Sequence, residues 1–227
     1  MVGQEGRDVV WVPTPHVTVD KMLDAAQVSP QDFVIDLGSG DGRNIIAAAK
    51  RGARGRGVEF NPDMVALSKR LAAAEGVSDK AEFVEGDMYE ADISQGTVFA
   101  IYLLPANMNR LAPKFLTLKP GTRIVANTFT FDEWEPDVRQ EGDGTTCSSW
   151  CEAILWIVPA KVSGTWTMPA GTLALTQAYQ RVFGTLSTNG SSVPLVNAKM
   201  LGDEIQFIVG GFSFGGRVNG NTMQGTV

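Results

Sequence analysis

Apolar positions along the chain come first as short blocks and later as alternation. Residues 33–37, FVIDL, form an apolar block of strand length. A helical pattern follows over 43–51, where Ile45, Ile46 and Ala49 fall on one side and Gly52 supplies the stop. Residues 55–60 predict a second strand. Asn61 and Pro62 then read as the N-cap and first residue of a helix, along which Met64, Leu67 and Leu71 keep helical spacing until Gly76. Residues 81–84 predict a third strand, and 97–103, almost wholly apolar, a fourth of the buried parallel kind. A helix over 107–118, a turn at Pro120-Gly121 and a fifth strand over 122–128 complete the series. Strands alternating with helices at this spacing imply a parallel α/β sheet.

Near Pro159 the pattern changes. From Gly164 to Val227 only Arg181, Lys199, Asp203, Glu204 and Arg217 are charged. Leu173 and Leu175, then Ile205, Phe207 and Val209, alternate with other residues, and Asn189-Gly190 is a hairpin-turn signal. This part predicts antiparallel strands, some closing the α/β sheet and some forming a small appended β unit. The division expected is 1–162 for the α/β domain and 163–227 for a β-rich extension packed on or completing the sheet.

The 227 residues suffice for one domain with a sizeable core, or one domain plus an appendage. A formal net charge of −6 argues against broad nucleic-acid binding, which needs a basic face. No apolar run is long enough to span a bilayer, and MVGQEGRDVV lacks an apolar signal core, so the expected location is cytoplasmic. Cys147 and Cys151 stand beside a single histidine, His16, which supports neither a disulfide framework nor a metal site. They read as two ordinary thiols.

The candidate chemistry lies in VIDLGSGDGRN, residues 34–44. A P-loop would place a lysine after Gly42, and none is there. A dinucleotide fingerprint would be GxGxxG, but Gly38, Gly40 and Gly42 give GxGxG, with Arg43 in the third glycine's place. Both of those loops cradle phosphate at a helix N-terminus, and Asp36 and Asp41 would repel it. The acids suit a cationic ligand without phosphate, S-adenosylmethionine, with glycines letting the backbone approach it closely. Glu59 ends the second strand, placed for ribose hydroxyls, and Asp87 with Met88 follows the third, placed for adenine. All lie at carboxyl ends of neighbouring parallel strands, where α/β sheets bind ligands.

The segments DLGSGDGR, GVEFNPDMV, VEGDMYEAD and YLLPANMNRL resemble the class I S-adenosylmethionine-dependent methyltransferases. Residues 11–23, WVPTPHVTVDKML, and 129–137, FTFDEWEPD, resemble a subgroup that includes the ATP-synthase c-subunit lysine methyltransferases. The resemblance covers about residues 9 to 160. It implies a Rossmann-like, mostly parallel seven-stranded methyltransferase sheet with a β-rich C-terminal extension. It implies that Asp36, Gly38, Ser39, Gly40, Gly42, Glu59, Phe60, Asp87 and Met88 bind S-adenosyl-L-methionine. Tyr102, Pro105 and Asn107 would face the acceptor, and Thr14 would fold over the cofactor. Trp11 stands where relatives often have tyrosine and reads as a core anchor.

Methyl transfer from a sulfonium is an in-line displacement governed by positioning, so one histidine is no obstacle. The resemblance favours a protein lysine as acceptor; a small thiol or amine is the alternative, as is a non-catalytic binding module. A rival from another class is a hydrolase using Ser213 in GFSFG, residues 211–215. That motif needs a helix after it, and GRVNGNTMQG is not helical.

Overall fold

The computed structural model describes residues 12–141 and 150–226. Trp11 and Cys147 lie outside them. The chain forms two compact units, Met1–Phe115 with Arg123–Trp156, and Leu116–Thr122 with Ile157–Val227.

The first unit is built, among the described residues, on seven strands: β1 (Phe33–Leu37), β2 (Arg54–Glu59), β3 (Ala81–Glu85), β4 (Val98–Ile101), β5 (Arg123–Asn127), β6 (Val138–Gln140) and β7 (Ala153–Ile157). Their order is β3-β2-β1-β4-β5-β7-β6. β1–β5 pair in parallel, and β6 pairs with β7 antiparallel. This is a methyltransferase-like α/β fold with a mixed sheet. The chain reverses its winding direction between β1 and β4, which is where such sheets open a ligand crevice. β1, β4 and β5 are buried almost throughout, which explains their unbroken apolar runs.

The helices described in this unit are α1 (His16–Ala25), α2 (Arg43–Lys50), α3 (Pro62–Ala74) and α4 (Pro105–Phe115). Asn61 caps α3 by accepting from Asp63 N at 3.0 Å, and Pro62 takes the first helical position, as the sequence indicates. α1 is not visible in the sequence pattern. It buries Thr18, Val19, Met22 and Leu23, and Arg51 from the end of α2 binds Asp20 and Asp24 on it. α4 starts at Pro105, two residues before the expected Asn107, and tolerates Pro113 inside it. An aromatic cluster of Phe99, Phe115, Phe131, Trp134 and Trp156 seals this end of the core. It anchors the segment after β5, and Trp156 Nε1 donates to Trp134 O at 2.8 Å.

The second unit has a sheet of its own, ordered β15-β14-β13-β12-β10-β9-β8, with β11 pairing β10. The strands are β8 (Gly164–Met168), β9 (Gly171–Ala178), β10 (Arg181–Thr188), β11 (Ser191–Pro194), β12 (Val196–Leu201), β13 (Glu204–Val209), β14 (Phe212–Asn219) and β15 (Thr222–Thr226). These strands pair antiparallel. Leu173, Leu175, Ile205 and Phe207 face its core, with Phe207 and Phe214 stacked at 4.7 Å. Asn189 and Gly190, both at positive φ, turn β10 into β11.

Two expectations are corrected here. The extension does not close the α/β sheet: β6 and β7, which complete it, come from residues before Pro159. Three- and five-residue strands with no alternating pattern left no signal to read. Cys151 is disulfide-bonded and not a thiol. Ser213 is an exposed residue inside β14, paired with Ile208. It sits on no strand-to-helix elbow, so the hydrolase reading ends there.

Candidate functional site

The glycine loop leaves β1 and enters α2. Its backbone is fixed from β2, since Gly38 N and Ser39 N both donate to Val58 O, at 2.8 and 3.0 Å. Ser68 of α3 donates from Oγ to Gly40 O at 2.9 Å. Gly42 caps α2 at φ 81°, and a Cβ there would come within 2.5 Å of the Phe83 ring. No other residue fits that turn.

Around this loop lies a cavity of about 320 Å³ at the carboxyl ends of β1–β5. It brings together Thr14, Asp36, Gly38, Ser39, Glu59, Phe60, Asp87, Met88, Tyr102 and Asn107. Three residues named from the sequence do not line it. Gly40 and Gly42 shape the loop, and Pro105 is used as the first residue of α4.

Each acid has a separate setting. Glu59 accepts from Gly40 N and from Asn61 N, both at 2.9 Å, and so ties the glycine loop to the start of α3. Asp87 accepts from Tyr89 N at 2.8 Å in a tight turn after β3. Asp36 is buried and accepts from Asn44 Nδ2 at 3.0 Å. Burial pushes its pKa from 3.8 up to about 8; the Asn44 bond acts the other way, and Glu59 and Asp41 add repulsion. Asp41 is different, because Arg43 grips it with Nε and Nη2 at 2.9 and 2.5 Å. The acid–cation match read from both aspartates therefore falls to Asp36, since Asp41 already has its countercharge.

Several lining residues carried no legible signal. Arg43 and Asn44 lie one and two positions past the glycines. Phe129 stacks on Tyr102 with centroids 5.7 Å apart and planes 10° apart. Thr128 beside it holds φ 61°, rare for a β-branched residue, and Phe129 N closes on Asn127 O at 2.6 Å. Strain of this kind gathers at functional sites. Trp150 lines the same cavity and is half exposed. Burial raises the Tyr102 pKa.

The residues present fit S-adenosylmethionine. Ser39 Oγ and Asn44 Oδ1 are buried in the cavity wall with no hydrogen-bond partner among the described residues, and buried polar atoms of that kind call for one. Among the described residues, Asp36 is an acid with no cation paired to it. The fold and this site together describe a methyl-donor site on a methyltransferase-like sheet.

Comparison with known proteins agrees. The family described as the ANTKMT methyltransferase domain matches residues 36–138. A protein-lysine N-methyltransferase of Saccharolobus islandicus is 42% identical over 131 residues, 56% of this chain and 81% of that protein. The ATP-synthase c-subunit lysine N-methyltransferase of Xenopus laevis is 36% identical over 56% of each chain. The chain thus spans only about half of that animal relative. The crystal structure of an RNA methyltransferase from Salinibacter ruber, in complex with S-adenosyl-L-homocysteine, aligns with TM-score 0.62 and 41% identity. The alignment covers 66% of this chain and 96% of that one. The chain belongs to this family of S-adenosylmethionine-dependent methyltransferases and is an enzyme using that cofactor.

Proposed function

We propose that the enzyme methylates the side-chain amine of a protein lysine. The observation that carries this reading is its kinship with a protein-lysine N-methyltransferase over 81% of that protein's length. In this reading Asp36, Ser39, Glu59, Phe60, Asp87 and Met88 hold the cofactor, with Gly38, Gly40 and Gly42 keeping the loop open to it. Thr14, Tyr102 and Asn107 face the acceptor, and Phe129 joins them, whereas Pro105 only starts α4. Residues 163–227 supply strands and no second catalytic centre.

Bound S-adenosylmethionine supplies an electrophilic methyl group on sulfur. The protein's part is to present a neutral amine in line with it. A lysine has a reference pKa of about 10.4, so it must lose its proton to act as nucleophile. Leu103, Leu104, Tyr102 and Phe129 give the cavity an apolar, aromatic side, and desolvation there favours the neutral amine. His16, exposed at the start of α1, is not among the lining residues, so no imidazole base is at hand. Positioning and desolvation carry the reaction.

A second reading has one observation in its favour, the RNA methyltransferase name of the 41% identical structure. The net charge of −6 weighs against it, because binding phosphate backbones takes cations. The test is to incubate enzyme, labelled cofactor and a cell lysate, then hydrolyse each fraction. Label recovered as methylated lysine supports the proposal. Label recovered in nucleosides or in the small-molecule fraction overturns it.

A further inference from the structure

Arg43 is the first residue of α2, and its five donors are shared between two segments. Nε and Nη2 form a fork on both oxygens of Asp41, whose side chain is 12% exposed. Nη1 points the other way and donates to the Thr14 carbonyl at 2.6 Å, across 29 positions of sequence. Thr14 is buried, and Val12, Pro13 and Thr14 all line the methyl-donor cavity. Asp41 and Arg43 line it too. The guanidinium thus bridges two segments that line the cavity, the glycine loop and the N-terminal segment.

The geometry suits arginine alone. A guanidinium is a rigid planar fork that can serve a carboxylate and still aim a nitrogen elsewhere. A lysine ammonium is a single point charge and cannot hold both partners at these distances. Thr14 itself leads into α1, which is tied to α2 independently by Arg51 through Asp20 and Asp24. The helix and the segment before it are therefore fastened by different arginines. The arrangement also explains why an acid occupies position 41 of a loop that already presents Asp36: Asp41 orients Arg43.

We propose that Arg43 is a positioning residue that clamps Val12–Thr14 over the methyl-donor cavity and so controls the exchange of S-adenosylmethionine and its demethylated product. The clamp holds the segment closed while donor and acceptor are aligned. Its release opens a path for the product to leave. This rests on the methyl-donor site and not on the identity of the acceptor, so a failed lysine assay leaves it untouched.

The probe is S-adenosylhomocysteine, with its dissociation followed by stopped-flow fluorescence or by chase with unlabelled ligand. Arg43→Ala and Arg43→Lys are expected to raise the dissociation rate at least tenfold. Arg51→Ala, which frees α1 but not Thr14, leaves the dissociation rate unchanged. Hydrogen exchange supplies a second readout: the ligand slows exchange in the N-terminal segment of the wild type and not in Arg43→Lys. A wild-type dissociation rate in Arg43→Lys, or an equal rise in Arg51→Ala, overturns the clamp. Should Arg43→Ala fail to fold, Arg43→Lys and Arg43→Gln decide the question by the same two readouts.

Discussion

Asp32 and Asp36 flank a single strand, one just before β1 and one within it, four residues apart. Both are nearly fully buried, at 6% and 3% exposure. At Asp32, Ser29 donates from N and Oγ at 2.9 Å, Thr97 from its hydroxyl at 2.8 Å, and Arg123 forms an ion pair. Burial opposes ionisation there, but those donors and the Arg123 charge outweigh it and lower the pKa. Asp36 has Asn44 and, among the described residues, no cation, so burial prevails and its pKa rises to about 8. Two identical side chains four residues apart thus serve opposite ends of β1. The one at the amino end is finished by the protein and holds Ser29, Thr97 and Arg123 in place. The one at the carboxyl end is left unfinished, and in the proposed function a cationic ligand completes it.

Breaking the finished acid should have the largest effect on folding. Asp32→Ala leaves Arg123 and the Thr97 hydroxyl without their partner, and urea unfolding should show a loss of about 3 kcal/mol. Cofactor affinity should stay within a few-fold. The mirror result is expected at the other end. Asp36→Ala should weaken S-adenosylhomocysteine binding at least tenfold by calorimetry, about 1.4 kcal/mol or more. Asp36→Asn should leave the unfolding midpoint unchanged or raise it, because burial already disfavours the ionised form of the acid it replaces.

Acidity sharpens the contrast. Asp36 binds its proton more tightly folded than unfolded, so its contribution to stability is present at low pH and declines as pH rises from about 3.8 to about 8. Asp32 binds its proton less tightly when folded, so its contribution is present above the ordinary carboxylate value of 3.8 and is lost as pH falls. Cofactor affinity should accordingly climb between about pH 6 and 8, by up to about tenfold per unit, and flatten above. Asp36→Asn should abolish the slope, and a slope that survives in Asp36→Asn would assign it to another group.

Acceptor-side changes should be smaller and of another kind. Tyr102→Phe, Asn107→Ala and Phe129→Ala should lower turnover several-fold while cofactor affinity stays within a few-fold, because contacts made in the transition state affect rate more than donor binding. Ser213→Ala, in β14 and outside the methyl-donor cavity, should change nothing in a steady-state assay.

The sequence was enough for whatever depends on neighbours along the chain. The strand–helix alternation, the cap at Asn61-Pro62 and the acids ending β1 and β2 could be read because strand ends in a parallel sheet share one edge. The β10–β11 turn could be read because Asn189-Gly190 is a local signal. The rest needed the folded chain. Phe129 reaches Tyr102 only because β5 lies beside β4 and Thr128 accepts a left-handed backbone. Arg43 finds the Thr14 carbonyl 29 positions away. Asp32 and Asp36 look alike as letters, and Arg123, 91 residues beyond the first, separates their roles. A pKa is set by burial and by the charges brought near, and both are properties of the tertiary structure.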